Sequence, residues 1–255
     1  MRASTFWFAV QFLTRLPTPS TADLAPEQAV SALAASRMWF PLVGGLIGGL
    51  AALAYLAAHQ LWPVPVAVLI ALAPEALVTG AFHEDAVADF FDAMGGGTTR
   101  EAKLAIFPDS RVGSYGALGL FLAVAVRAAF LIALPPALVP PALLAAGAAG
   151  RWTILVVMTA TAPIQDRPSL GLALARLRVG QMLIALLLAA PTIAWAFVLR
   201  ASQAIGALLA CAVFALLFAR WLERKLGGST GDCLGTAAYA GMLIMLALLA
   251  IEVRA

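Results

Sequence analysis

The chain is poor in charge. Only 11% of its 255 residues are Asp, Glu, Lys or Arg, against roughly 25% in an ordinary soluble domain. Hydrophobic residues make up 63%, and the mean hydropathy is +0.96. A water-soluble globular domain is thereby excluded. Cysteine is equally scarce. Cys211 lies in an apolar run and Cys233 in a glycine-rich loop, a placement that supplies neither a disulfide framework nor zinc spacing. No Lys/Arg-rich run carries interleaved aromatics, so nucleic acid is not an expected partner. No internal repeat is visible. The apolar N-terminal stretch 1–13 lacks a small-residue cleavage site and is followed at once by Arg15. It reads as an interfacial amphipathic helix, closed by Pro17 and Pro19.

What the chain has is apolar length. Stretches 38–58, 64–81, 114–134, 137–162, 181–199, 201–221 and 235–251 approach or reach the ~20 residues that cross a bilayer. The expected fold is all-α: a polytopic integral membrane bundle of about seven transmembrane helices, with six to eight as the range, plus the N-terminal amphipathic helix. Residues 1–255 form a single membrane-embedded domain. Prolines punctuate the junctions, at Pro63 and Pro65, Pro135 and Pro136, Pro163 and Pro168. Gly44, Gly45, Gly48 and Gly49 form a small-xxx-small pattern that suits close helix packing. The N-terminal stretch, loops 82–113, 163–180 and 222–234, and the adjoining end of the 201–221 stretch carry Arg2, Arg15, Arg37, Arg100, Lys103, Arg111, Arg167, Arg176, Arg178, Arg220, Arg224 and Lys225. The opposite side carries Arg200 and Arg254. The positive-inside bias therefore predicts that these loops share the cytoplasmic face of a bacterial inner membrane.

The densest polar segment follows the second span. It reads His83-Glu84-Asp85-Ala86-Val87-Ala88-Asp89-Phe90-Phe91-Asp92. Asp85, Asp89 and Asp92 recur at i, i+4, i+7, which places them on one helical face. Like charges at that spacing repel. A solvated juxtamembrane helix would tolerate them, whereas a bound divalent cation would turn the repulsion into ligation. An oxygen-rich donor set suits magnesium better than zinc. Glu84, Asp85, Asp89 and Asp92 are the candidate ligands, with His83 a candidate base or partner for a carboxylate. Gly95, Gly96 and Gly97 just beyond would let the backbone approach a phosphate.

Two further motifs lie between spans. In Phe107-Pro108-Asp109-Ser110-Arg111-Val112-Gly113-Ser114-Tyr115-Gly116, Asp109 and Ser110 suit a helix N-cap, while the planar fork of Arg111 suits phosphate. In Gly227-Gly228-Ser229-Thr230-Gly231-Asp232, a flexible turn explains the glycines. Thr230 and Asp232 add a hydroxyl and a carboxylate that fit a phosphate–metal edge. Arg127 and Arg151 fall inside apolar spans, where an ionisable group is costly and is usually paired or functional. Glu75 is a candidate partner for either.

Together these residues resemble a known family. The segment 79–92, Thr79-Gly80-Ala81-Phe82 and then the acidic run, resembles the signature of cobalamin synthase, adenosylcobinamide-GDP ribazoletransferase. Gln11-Phe12-Leu13-Thr14-Arg15-Leu16-Pro17, the Asp109–Gly116 motif and the Gly227–Asp232 motif resemble three more family motifs in the same order. The resemblance covers essentially the whole chain. Ala86-Val87 stands where the family usually has Gly-Leu, Phe90-Phe91 is bulkier than its pattern, and the 163–168 stretch matches only loosely.

The resemblance implies a reaction. The ribose hydroxyl of α-ribazole, or of its 5′-phosphate, attacks the corrinoid-side phosphorus of adenosylcobinamide-GDP, and GMP leaves. Within that reading magnesium is the cofactor, held by Glu84, Asp85, Asp89, Asp92 and Asp232. His83, Asp109 and Arg111 are the expected catalytic residues. Arg15, Gly95, Gly96, Gly97, Lys103, Ser110, Arg151 and Thr230 are expected to bind substrate. The partners are these two substrates and the lipid bilayer, with a homo-oligomer left open. A CDP-alcohol phosphotransferase-like enzyme is disfavoured, because its Asp-x-x-Asp-Gly-x-x-Ala-Arg pattern is absent. A cation-coupled transporter would place its ionisable groups near the bilayer midplane on broken helices, whereas the motifs here cluster toward one face.

Overall fold

The computed structural model describes residues 3–19, 26–164 and 177–251. Arg2, Arg167, Arg176 and Arg254, and the part of the 163–168 stretch from Gln165 to Pro168, lie outside the described residues. The helices are α1 (Ala3–Leu13), α2 (Pro26–Ser36), α3 (Phe40–Ala58), α4 (Val64–Thr79), α5 (Phe82–Gly96), α6 (Arg100–Ile106), α7 (Ser114–Ala133), α8 (Val139–Ala160), α9 (Val179–Leu226) and α10 (Gly231–Leu249). Among the described residues the only β pairing is one isolated parallel bridge between Pro163 and Ser229. The all-α expectation holds.

Five helical segments are long and apolar enough to cross a membrane. One of them is α9, whose 48 residues would extend about 70 Å as one straight rod. That is more than twice the ~30 Å hydrocarbon core. The rod breaks at Arg200, which leaves helical geometry at φ −147°, ψ 54°. With α9 counted as its two halves and α4 included, each of the seven expected apolar stretches coincides with a helix or half-helix.

α8 is the axis of the bundle. It starts with Pro140 and Pro141, where a proline lacks nothing, since the first-turn N–H groups have no intrahelical acceptor. Nearly every side chain from Val139 to Met158 is buried, because α3, α9 and α10 all pack on this helix. Glycine permits the approach. A Cβ on Gly44 or Gly48 of α3 would overlap the carbonyl oxygens of Gly147 or Leu143 on α8. A Cβ on Gly150 would likewise overlap the Ala238 carbonyl of α10. The Gly44/Gly48 pattern is therefore a packing surface. In contrast α7 and α9 expose Phe121, Leu187, Val198 and Leu209, the faces such a bundle turns to lipid. The N-terminal helix is more than interfacial. Phe8, Ala9, Val10 and Leu13 of α1 are buried, and Phe12 stacks on Phe40 at 5.3 Å.

α4 and α5 meet at 88°. Gly80 (φ 68°) and Ala81 (φ 56°) both adopt the left-handed conformation. Glycine does so freely, whereas alanine at such an angle carries strain of roughly 1–2 kcal/mol. The turn is closed by the Ala81 N–H, which donates to the Ala76 carbonyl at 2.8 Å. The bend lays the acidic segment across one end of the bundle, and α5 on its own is too short and too charged to be a span.

Glycine contacts make a direct test. At Gly49 a Cβ would meet only Leu144 Cγ, at an ordinary 3.9 Å. Gly49→Ala should be neutral or raise the thermal midpoint in detergent, through the ~1 kcal/mol helix-propensity gain. Gly147→Ala must push α3 off α8 and should lower the midpoint by the equivalent of about 1–3 kcal/mol.

Candidate active site

The polar motifs converge because their loops are tied together at one end of the bundle. Arg100 Nε donates to the Leu226 carbonyl at 2.7 Å, joining α6 to the end of α9. The Ser229 N–H donates to the Ala162 carbonyl, and the Ile164 N–H to the Ser229 carbonyl, each at 2.9 Å. Glu223 accepts from the Thr161 hydroxyl at 2.7 Å and from the Ala162 N–H at 3.1 Å. Arg15 joins them across the α4–α5 turn: its N–H donates to the Val78 carbonyl at 2.7 Å. Its guanidinium lies where a Cβ on Gly80 would be. Sequence reasoning missed Arg100, Thr161 and Glu223 as ties, because each bond spans 60 or more positions of chain.

Within this frame α5 divides its acidic residues. Asp85 is exposed and Asp89 half-buried. α10 packs on the same helix, with the Thr236 hydroxyl donating to the Ala86 carbonyl at 3.0 Å. One turn earlier on α10, Asp232 is brought toward Asp85 and Asp89. Partial burial, and then the negative charges of Asp85, Asp232 and Asp92, push the Asp89 carboxyl up to about 6. Among the described residues no three His, Cys, Asp or Glu side chains stand close enough to hold a metal ion as they are. The donor chemistry of Asp85, Asp89 and Asp232 nonetheless fits a hard, oxygen-bound divalent ion, and their mutual repulsion is what such an ion would relieve.

Glu84 and Asp92 are used differently from the expected ligand set. Asp92 accepts from the Gly113 N–H and the Gly116 N–H, both at 2.7 Å. It thus supplies the N-terminal cap of α7. That position was expected to fall to Asp109 or Ser110, but the capping residue in the chain is Gly113, and the carboxylate comes from another helix. Glu84 faces inward, with Oε1 at 3.9 Å from Arg127 Nη1.

His83 is also turned inward. It is 1% exposed, and its Nε2 has no hydrogen-bond partner. Burial, and then the charges of Arg151 and Arg127, hold the imidazole well below its usual range. The ring is enclosed on the inner side of α5, while Asp85 is exposed on the same helix.

The intramembrane charges meet here. Glu75 of α4 accepts from Arg127 Nη2 of α7 and lies 3.7 Å from Arg151 Nη1 of α8. Arg151 also donates to Met242 Sδ at 3.2 Å, and the Arg127 guanidinium sits 5.9 Å from the centre of the Tyr239 ring. Glu75 thus serves both arginines. Arg151 is 1% exposed and sits within this cluster.

The glycines after α5 make room for protein. A Cβ on Gly95 would overlap the Tyr115 ring, and one on Gly97 would crowd Lys103. Lys103 Nζ donates to the Gly97 carbonyl, so its charge sits at the C-terminal end of α5, where the helix dipole favours it. Arg111 is exposed and bound in a fork by Asp109, at 2.6 Å for the closest pair. Its hydrogen bonds hold the Asp109 carboxyl down at about 2. Ser110 is exposed beside them. Thr230 caps α10, accepting from the Cys233 N–H at 3.3 Å. The departures from the family pattern are accommodated locally. The Ala86 methyl stands against Gly235, and Phe91 against Gly119, where a Cβ would clash with each. Phe90 joins Phe218 and Trp221.

Fold and site together define a polytopic membrane protein with an acidic centre at one end of its bundle. Comparison with known proteins is consistent across the chain. The family described as cobalamin-5-phosphate synthase matches residues 5–250. The adenosylcobinamide-GDP ribazoletransferase of Leptothrix cholodnii is 37% identical, over 94% of this chain and 95% of its own. Those of Ralstonia nicotianae and Vibrio cholerae are each 35% identical, over 94% and 96% of this chain and 92% and 93% of theirs. No solved structure matches. The chain belongs to the cobalamin-5-phosphate synthase family.

Glu75 provides the sharpest stability test. Removing it leaves two guanidiniums buried without a carboxylate. Glu75→Ala should lower unfolding stability by about 3–5 kcal/mol and deplete folded protein in fluorescence-detected size exclusion. Replacing the three together, as Glu75→Leu, Arg127→Met and Arg151→Met, should recover most of that loss.

Proposed function

We propose that this chain joins adenosylcobinamide-GDP to α-ribazole or its 5′-phosphate, releasing GMP and completing the nucleotide loop of a cobamide. A ribose hydroxyl oxygen forms a bond to the corrinoid-side phosphorus. The bond from that phosphorus to the bridging oxygen of the pyrophosphate breaks, GMP carries that oxygen away, and the hydroxyl proton passes to a base. One observation carries the reading: in a chain of this family, Asp85 and Asp89 lie on the crosswise helix α5, and α10, whose first turn holds Asp232, is bonded to that helix through Thr236 and Ala86. Magnesium, held by these three carboxylates, would neutralise charge on the pyrophosphate and on the departing GMP.

The remaining parts belong to the chain itself. Arg15, exposed at the α4–α5 turn, and Arg111, exposed on the loop before α7, offer guanidiniums to phosphate oxygens. For Arg111 this means exchanging Asp109 for the substrate. Asp109, in the surface fork, and the acidic carboxylates are the groups on this face able to accept the hydroxyl proton. The apolar bundle supports an integral membrane location. The excess of Lys and Arg at the site end supports a bacterial inner membrane with the site toward the cytoplasm.

Two measurements test this reading. Purified protein supplied with both substrates and magnesium should release GMP. Asp85→Asn and Asp89→Asn should each reduce that release about 100-fold or more, and excess magnesium or manganese should restore part of it. Normal turnover by both variants without added metal would sink the acidic-centre mechanism. For orientation, Thr98→Cys and Lys225→Cys in a cysteine-free background should resist an impermeant thiol reagent in intact cells. Gln60→Cys, at the other end of the bundle, should react. The reverse pattern would turn the site outward.

A further inference from the structure

We propose that the four carboxylates of α5 are of two kinds: Glu84 and Asp92 are positioning residues that clamp α5 to α7, and Asp85 and Asp89 between them are the working pair. This inference rests on the transferase reading for what the pair does, but the clamp itself stands on geometry.

At its C-terminal end α5 is held by Asp92. Each oxygen of that carboxylate accepts one backbone N–H of the first turn of α7, from Gly113 and Gly116. The fit is close, since a Cβ on either glycine would overlap Asp92. The N–H groups of a first helical turn have no acceptor of their own, and a carboxylate there also meets the positive end of the helix dipole. At its N-terminal end α5 is held by Glu84, which faces Arg127, further along the same helix α7. Arg127 is not free to follow Glu84. It is 2% exposed, bound by Glu75 and set against the Tyr239 ring. So α7 grips α5 at both ends, and one grip is anchored to α4 and α10.

Why would α5 need two grips? Its N-terminal lead is the Gly80–Ala81 turn, where two left-handed residues make an 88° bend. Nothing in such a turn fixes the rotation of the helix about its own axis. Asp85, Asp89 and Asp232 repel one another, and the grips from α7 act with the Thr236–Ala86 hydrogen bond to hold α5 on α10 against that repulsion. The buried ions are a poor source of net stability. Arg127 Nε, Arg151 Nε and His83 Nε2 are buried with no hydrogen-bond partner, so an apolar core would serve packing at least as well. What the ions supply is a defined direction for Glu84.

The experiment uses full-length protein in detergent with three readouts. Hydrogen exchange at amides 113–117 tests the clamp without metal or substrate. Asp92→Ala should speed it about fivefold or more, the scale of a lost helix cap, whereas Asp85→Asn should leave it unchanged. Direct manganese titration tests the division of labour. Asp85→Asn should weaken binding about tenfold or more, on the scale of a lost key ligand interaction. Asp92→Asn and Glu84→Gln keep an acceptor oxygen in place and should shift it by less than about threefold. Their GMP release should fall less than about tenfold, with no rescue by excess metal, while Glu84→Ala and Asp92→Ala fall further. Unchanged exchange in Asp92→Ala, or manganese binding weakened by Asp92→Asn as much as by Asp85→Asn, would overturn the proposal. If the unaltered protein binds no manganese, the metal part of the transferase reading fails. The clamp is then judged by exchange and by the Asn/Gln versus Ala contrast in GMP release.

Discussion

A carboxylate held between two guanidiniums, sealed inside a bundle of apolar helices, is the interaction on which the rest of this molecule turns. Glu75, Arg127 and Arg151 are all at most 2% exposed. They come from α4, α7 and α8, three helices that apolar packing alone could slide or rotate against one another. Lipid tails are as apolar as leucine, so no hydrophobic force sets the register of helices inside a bilayer. Close backbone contact and polar pairing must do so. Here the glycine contacts of α3, α8 and α10 set the approach, and the ion cluster sets the rotation.

The cluster also explains why an acidic helix can lie across the end of an apolar bundle. α5 carries Glu84, Asp85, Asp89 and Asp92 within its first eleven residues. Left to themselves these charges would favour full solvation away from the protein. Two of them meet positive ends instead, Glu84 at a guanidinium and Asp92 at the start of a helix. The helix is thereby attached through the same kind of group that it presents. Asp85, exposed, and Asp89, half-buried, are the two that protein does not bind in this way.

Much of this fold was legible in the sequence, and the reason is physical. A residue in hydrocarbon must be apolar and helical over a fixed length, so the apolar helices announce themselves by composition alone. Even the break in α9 showed, because Arg200 interrupts two apolar runs that together exceed one membrane thickness. The acidic face of α5 was legible through its helical spacing. What spacing could not show was the destination of each carboxylate. Asp85, Asp89 and Asp92 share one stripe, yet Asp92 caps a helix whose N-cap, Gly113, lies 21 residues later. His83 lies two residues before the exposed Asp85 but is enclosed within the bundle. Gly95 to Gly97 looked like a phosphate cradle and instead admit Tyr115 and Lys103. In each case the deciding partner comes from another element, and no local pattern records it.

The polar loops illustrate the same limit from the other side. Arg100, Thr161 and Glu223 look like ordinary juxtamembrane residues, yet they hold the 97–113, 161–164 and 226–231 segments together. Their bonds are to backbone carbonyls and N–H groups, or to a hydroxyl. Each of these ties ends on a backbone group or a hydroxyl far along the chain, which no sequence pattern singles out. The consequence for function is a separation of tasks. Buried ions orient the acidic helix from below, and loop-to-backbone bonds gather Asp232 and Thr230 from the side. The exposed residues Arg15, Asp85 and Arg111 are left in an environment where a large polar substrate can reach them from water. A site that handles phosphate at a membrane surface needs that separation. Groups that fix geometry must be dry to be rigid, and groups that meet the substrate must be wet to exchange.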